Sequence, residues 1–168
     1  GTDGATYAAM QFEGEAISGF SMDARFTMCN MVAEAGGKNG LMPVDQVTLD
    51  YVRARSKKPF KVYTPDPDAQ YAATYEWDIS RMEPQVAMPY SPGNVGSIGE
   101  LASKNLSVDQ VFIGTCTNAR LEDLREAAAI IRGRKVAPWL RCIVIPATVE
   151  VYQKCLQEGL IDVFVQAG

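Results

Sequence analysis

The stretch 111–125 most constrains the fold, because it predicts a strand, a polar turn and a helix in immediate succession. Its apolar start is typical of a buried strand, and Gly114 ends that strand. We predict that Asn118 caps the helix. Glu122 and Asp123 would then lie in the first helical turn, where carboxylates suit the positive end of the helix. A βα unit of this kind is the building block of parallel α/β sheets.

The same alternation continues from residue 107 to the end of the sequence. It predicts a strand, helix, strand, helix and strand at 111–115, 119–132, 141–145, 148–158 and 162–166. This order is βαβαβ, a parallel three-stranded unit with right-handed crossovers. Because the carboxyl ends of parallel strands meet at one edge, the turn at Cys116 and the turn 146–148 should converge there with the end of the third strand. The sequence therefore predicts a functional site at this edge.

Cys116 lies in the first of these turns, and the residues alone leave three interpretations open. It could be a buried structural thiol, since free cysteines are often buried. It could be a nucleophile made acidic by the helix end, although the chain has no histidine to pair with it and Arg120 comes too early for a phosphatase-like loop. It could also ligate a metal or an iron–sulfur cluster. Cys29, Cys142 and Cys155, however, form no Cys-x-x-Cys pair.

The first half of the chain predicts shorter elements. They are strands at 8–12, 41–44 and 74–79, a short segment at 16–20, and helices at 22–35 and 46–55. The helix 22–35 is apolar on nearly every face, which predicts that it is buried. Asn30 and Glu34 lie one turn apart on it, either as a solvated surface pair or, if buried, as part of a site.

Composition limits the classes of protein that the chain can belong to. Its 168 residues are 47% hydrophobic and 21% charged, with a net charge of −4, which is typical of a soluble globular protein and argues against a nucleic-acid or membrane partner. The four cysteines do not resemble a secreted disulfide framework, and no signal peptide is visible, so a cytoplasmic location is expected. Both ends read as cuts within a longer protein.

Several of these segments, taken in order, resemble the aconitase superfamily. The similarity covers essentially the whole chain and is closest to the isopropylmalate dehydratase large subunits, in the archaeal-type branch that includes homoaconitase and 2,3-dimethylmalate dehydratase. The segments are Gly-Thr-Asp-Gly-Ala-Thr-Tyr at 1–7, Phe-Glu-Gly-Glu-Ala at 12–16, residues 26–36, Ile-Gly-Thr-Cys-Thr-Asn at 113–118 followed by Glu-Asp-Leu at 122–124, and the Pro-Ala-Thr turn at 146–148.

The resemblance implies an aconitase-like three-layer α/β/α fold, of which the chain holds parts of two domains. Residues 1–80 would end one α/β domain, 81–106 would cross between domains, and 107–168 would begin the next. It also implies an iron–sulfur hydro-lyase, in leucine biosynthesis, that isomerises a hydroxy acid such as isopropylmalate by dehydration and rehydration. A homoaconitase, a dimethylmalate dehydratase, or a non-catalytic α/β binding module with a structural Cys116 remain alternatives.

The resemblance also assigns residues. Cys116 would be one of three ligands of a [4Fe–4S] cluster, and Asn118 would support the same loop or a cluster sulfur. Asn30 and Glu34 would be catalytic residues near the cluster and the substrate. The other two cluster cysteines, the histidines, the serine base and most substrate-binding arginines would lie outside this chain, some of them in a separate small subunit. The 168 residues alone are therefore expected to hold no intact cluster and to be inactive.

Overall fold

The computed structural model describes residues 2–104 and 106–168. Its strands are β1 (Ala9–Gln11), β2 (Asn39–Leu41), β3 (Gln85–Ala87), β4 (Val95–Ser97), β5 (Gln110–Ile113) and β6 (Arg141–Val144). Its helices are α1 (Glu15–Ser18), α2 (Met22–Met31), α3 (Gln46–Arg55), α4 (Ile98–Leu101), α5 (Leu121–Ile131), α6 (Val149–Gln157) and α7 (Leu160–Ala167). The predicted α/β class is confirmed.

The chain divides into two compact units. The first contains the described residues of Gly1–Met22 and Val32–Asn105, and the second contains Asp23–Met31 together with the described residues of Leu106–Gly168. Most of α2 therefore belongs to the second unit, although it lies far from the rest of that unit in sequence. The domain boundaries predicted from the sequence stay a prediction.

In the first unit, β1 and β2 form a parallel pair, in register from Ala9 opposite Asn39 to Gln11 opposite Leu41. The strand predicted at 8–12 is confirmed as β1. The strand predicted at 41–44 is shifted towards the N-terminus, since β2 shares only Leu41 with that range. The helix predicted at 46–55 is also confirmed, as α3. Asp45 is its N-cap, and the Asp45 carboxylate accepts a hydrogen bond from the Thr48 N–H at 3.1 Å.

One other prediction in this unit is wrong, and two segments contain elements that the sequence did not specify. The segment 16–20 lies mostly in the single helical turn α1. The strand predicted at 74–79 does not form, and Tyr75 and Trp77 are exposed instead. Their rings stack on each other with centroids 5.6 Å apart, so the alternating aromatic residues contact one another without a partner strand. The Pro- and Gly-rich stretch 82–99 contains the antiparallel pair of β3 and β4. The crossing between domains that the sequence predicts at 81–106 stays a prediction.

In the second unit, β5 and β6 form the predicted parallel pair, in register from Gln110 opposite Arg141 to Ile113 opposite Val144. The three helices α5, α6 and α7 share one apolar core with the loop that precedes α5. Its fully or almost fully buried members are Ala119, Leu124, Ala128, Cys155, Leu160 and Val163. The predicted strand–helix–strand–helix order of 111–158 is thereby confirmed, and α5 is fixed to the sheet through this core.

The third strand predicted at 162–166 is wrong, because these residues lie inside α7. The run looks strand-like by composition, but Leu160, Val163 and Ala167 are spaced for one helical face, and all three are buried. Gly159, with φ of 70°, adopts the left-handed conformation that precedes this helix. Among the described residues the sheet of this unit therefore has two strands, not the three of the predicted βαβαβ unit.

The helix predicted at 22–35 forms in two parts, α2 and the 3-10 turn Val32–Ala35 that follows it. Gly36, with a φ of 78°, comes directly after that turn. The prediction that this helix is buried is wrong for its polar pair, since both Asn30 and Glu34 are exposed. Its buried side chains are Arg25 and Val32. No helix in residues 2–104 and 106–168 is both long and apolar enough to cross a membrane.

Candidate functional site

The loop between β5 and α5, residues 114–120, presents an exposed Cys116 thiol. Thr115 and Ala119 flank the cysteine with positive φ angles of 97° and 58°. Positive φ is uncommon for residues other than glycine and is a true outlier for a β-branched threonine. Strain of this kind persists only where the surrounding structure holds it, and it is concentrated at functional sites.

Contacts within the loop and to its neighbour maintain this conformation. The hydroxyls of Thr115 and Thr117 lie 2.7 Å apart, and the Thr117 N–H donates to the Thr115 hydroxyl at 3.3 Å. The Ala119 carbonyl accepts a hydrogen bond from the Ala147 N–H at 2.9 Å. Because Ala147 follows β6, this bond joins the turns after the two parallel strands, as the sequence predicted for these two strand ends.

The start of α5 differs from the prediction. Asn118 is not its N-cap, because the helix begins at Leu121, later than the sequence suggested. The Asp123 carboxylate accepts a hydrogen bond from the Arg120 N–H at 2.9 Å and one from the Asn118 side-chain amide at 3.4 Å. A carboxylate in the first turn binds a free N–H more strongly than a neutral amide does, so Asp123 takes the capping role. Asn118 instead connects the loop to that carboxylate.

The segment Asp23–Met31 packs on the same loop through three polar contacts. The Asn30 side-chain amide donates to the Cys116 carbonyl at 3.2 Å. The Thr27 hydroxyl donates to the Thr117 carbonyl at 3.1 Å. These bonds join residues that are separated by 86 and 90 positions in the sequence. One of the two predicted catalytic residues, Asn30, is therefore brought directly to the predicted cluster cysteine.

The third contact involves Arg120, whose guanidinium lies 4.8 Å from the centroid of the Phe26 ring. Its Nε atom is buried and has no hydrogen-bond partner among the residues that the structure describes. Burial raises the pKa of the nearby Asp23, and the Glu122 carboxylate raises it further, whereas the Arg120 charge opposes the shift. A cation packed against an aromatic ring thus lies at the last residue of the cysteine loop.

Glu34, the other predicted catalytic residue, is exposed in the 3-10 turn Val32–Ala35 and belongs to the first unit. Its role beside Cys116 stays a prediction. The remaining cysteines are not exposed: Cys29 and Cys142 are partly buried and Cys155 is fully buried. Burial raises the thiol pKa of Cys29 and Cys155, which suits the structural role expected for them.

The loop offers donors for an anionic ligand. Within the described part of the chain, the backbone N–H groups of Cys116 and Asn118 donate to no protein group. Free N–H groups beside a thiol stabilise negative charge on sulfur, as in many iron–sulfur sites. No group of three or more histidine, cysteine or acidic side chains that could hold a metal occurs in residues 2–104 and 106–168. Cys116 is the only residue of the loop 114–120 with a side chain of these types, so the loop can offer a single such ligand.

Three contributors to the site were missed in the sequence, although two of them had a signal there. Thr27 precedes Asn30 by three residues and so shares its helical face. Asp123 stands three residues after Arg120, at the spacing of a reciprocal helix cap. The stacking of Arg120 on Phe26 had no local signal, because it depends on the packing of distant segments.

The fold and the loop together define the class of this chain: an α/β protein with an exposed candidate metal-ligand cysteine at the carboxyl end of a parallel strand. The family model described as "Aconitase family (aconitate hydratase)" matches residues 1–106 and 96–168, which together span the chain. The chain belongs to the aconitase family.

Curated relatives resemble the chain along its whole length. It is 53% identical over 173 residues to the 3-isopropylmalate dehydratase large subunit of Aquifex aeolicus, matching 100% of this chain and 40% of that protein. It is 52% identical to the large subunit of Hydrogenobaculum sp. and 53% identical to that of Desulfitobacterium hafniense, in each case over 100% of this chain and 39% of the relative. The chain thus spans about two fifths of the length of these relatives.

Proposed function

We propose that this chain is part of the large subunit of a hydro-lyase that isomerises isopropylmalate by dehydration and rehydration. The names of the relatives support this substrate and the term large subunit. The hydrogen bond from the Asn30 amide to the Cys116 carbonyl is the observation that carries the proposal. It unites the two segments, far apart in sequence, on which a catalytic centre of this kind would depend.

We propose that Cys116 is one of three cysteine ligands of a [4Fe–4S] cluster in the longer protein. The donor chemistry fits, since the thiol is exposed and lies among free backbone N–H groups. When bound, such a cluster supplies an open iron that acts as a Lewis acid on a substrate hydroxyl. Asn118, held by Asp123, would keep the loop in shape around the ligand.

Asn30 and Glu34 would act on the substrate from the same helical segment. The Asn30 amide donates to the Cys116 carbonyl, which leaves its side-chain oxygen able to accept a hydrogen bond from a substrate hydroxyl. The Glu34 carboxyl would deliver a proton to the hydroxyl as it leaves as water, and would take that proton back in the hydration direction. The proton on the neighbouring carbon would be removed by a base outside this chain.

A small subunit is the proposed partner, and the cytoplasm the proposed location. The term large subunit in the names of the relatives supports such a partner. We also retain the proposal that residues 1–80 and 107–168 belong to two successive domains joined by 81–106.

The experiment is a steady-state assay of the full-length large subunit with its small subunit, following the unsaturated acid formed from isopropylmalate. Glu34→Gln keeps the size of the side chain but cannot transfer a proton, so kcat should fall by about 10²- to 10⁴-fold. Glu126→Gln, an exposed carboxylate on α5, is the matched control and should leave kcat unchanged. Wild-type kcat in Glu34→Gln would overturn its catalytic role, and turnover of homocitrate or dimethylmalate but not isopropylmalate would overturn the substrate.

A further inference from the structure

We propose that Thr27 is a positioning residue for Cys116, and that Arg120 supports it by stacking on Phe26. The inference rests on the proposed function, since it assigns these residues to the presentation of a cluster ligand. Neither residue would touch the cluster or the substrate. Their contacts instead fix the peptide groups that follow the cysteine.

The two hydrogen bonds from α2 constrain successive peptide units. Asn30 holds the carbonyl of Cys116 at 3.2 Å, and Thr27 holds the carbonyl of Thr117 at 3.1 Å. The two donors lie on one helical face and the two acceptors are adjacent in the loop, so the loop cannot rotate about one contact without breaking the other. With only one of the two bonds, the contacts within the loop would have to resist that rotation without help from a second point on α2.

The Thr27 bond also determines where a free donor points. The peptide group between Thr117 and Asn118 is trans and planar, so its N–H points opposite to its carbonyl. Because Thr27 draws that carbonyl towards α2, the Asn118 N–H is directed away from the helix. This N–H has no protein acceptor among the described residues and is therefore available to a ligand atom.

Arg120 secures the same helix against the far end of the loop. Its guanidinium packs 4.8 Å from the Phe26 ring centroid, while its backbone N–H is bound by Asp123. Phe26 immediately precedes Thr27, so the stacking holds the donor in place. The stacking also accounts for the buried Nε atom, which has no hydrogen bond among the described residues. The ring face attracts the delocalised charge of the whole guanidinium, and this attraction compensates for the missing bond.

The test compares Thr27→Val, which removes the hydroxyl at nearly constant volume, with Thr27→Ser, which retains it, in the full-length large subunit with its small subunit. The first readout is the rate at which a chelator removes iron from reconstituted protein under anaerobic conditions. The second is amide hydrogen exchange of the peptide 114–120 in the iron-free protein, which does not require a cluster. Arg120→Met serves as an independent second variant, and circular dichroism verifies that each variant is folded.

We expect Thr27→Val to lose iron about fivefold faster than wild type, and its loop amides to exchange about fivefold faster as well. Loss of one ordinary hydrogen bond has an effect of this size. Thr27→Ser should restore both rates, and Arg120→Met should shift both in the same direction as Thr27→Val. Unchanged rates in Thr27→Val, faster exchange without faster iron loss, or equal effects in Thr27→Ser would each overturn the inference. A wild-type protein that takes up no iron would instead overturn the proposed function, and the exchange data would still report on Thr27.

Discussion

Leu124 anchors α5, and hence the end of the cysteine loop, to the core of the second unit. Its side chain is 0% exposed, and Leu124→Ala removes three carbons from that core. At about 0.8 kcal/mol for each buried CH₂, the lost transfer energy is about 2.4 kcal/mol, and an unfilled cavity can raise the total to about 5 kcal/mol. The matched control is Ile130→Ala on the same helix, where the side chain is 68% exposed.

Cys155 provides the assay, because this thiol is 0% exposed in the same core and reacts with an alkylating agent only when the unit opens. In a background where Cys29, Cys116 and Cys142 are replaced by serine, the native-state alkylation rate of Cys155 follows the opening equilibrium. Leu124→Ala should accelerate it by about 60-fold to 5,000-fold, and Ile130→Ala by less than about threefold. Acceleration below about threefold in Leu124→Ala would refute the assigned core.

Three further predictions concern the helix ends. Asp123→Ala should lower the free energy of unfolding by about 0.5–2 kcal/mol, because α5 loses its capping carboxylate, and an unchanged urea midpoint would contradict this. The paired hydrogen bonds from Arg125, at 2.6 and 2.7 Å, lower the pKa of Glu158 below its ordinary value of 4.5. The ion pair therefore stabilises the fold above about pH 4.5, and this stabilisation is lost as the pH falls through the lowered pKa. The urea midpoints of wild type and Glu158→Gln should accordingly differ at pH 7 and converge in acid. Gly159→Ala should cost about 1–2 kcal/mol because φ there is 70°, whereas Gly159→Asn should cost less in the same denaturation experiment.

The parallel strand pair and the helices around it were predictable because their signals are local. An apolar run, a helix cap such as Asp45 or a helix-ending glycine such as Gly36 affects only the residues next to it in the sequence. The prediction was wrong where a short apolar run is compatible with both a strand and a helix. The run 162–166 is apolar enough for a strand, and only the burial of Leu160, Val163 and Ala167 along one face identifies it as a helix.

The candidate site was only partly predictable, for a different physical reason. Cys116 and its place after a strand followed from the pattern, and the resemblance to the aconitase superfamily added Asn30, Glu34 and Asn118. The bonds that hold the loop depend on tertiary packing, since Thr27 and Thr117 lie 90 residues apart. The positive φ angles at Thr115 and Ala119 are likewise set by surrounding contacts, because neither residue type favours that conformation.

The proposed function depends above all on Cys116 as a ligand of an iron–sulfur cluster in the longer protein. The most direct measurement is the iron content per polypeptide of the full-length large subunit after anaerobic reconstitution, for wild type, Cys116→Ser and Cys142→Ser. Cys142 is partly buried on β6 and serves as the control for replacing a thiol. We expect Cys142→Ser to bind as much iron as wild type and Cys116→Ser to lose most of it. Equal iron in wild type and Cys116→Ser would contradict the account.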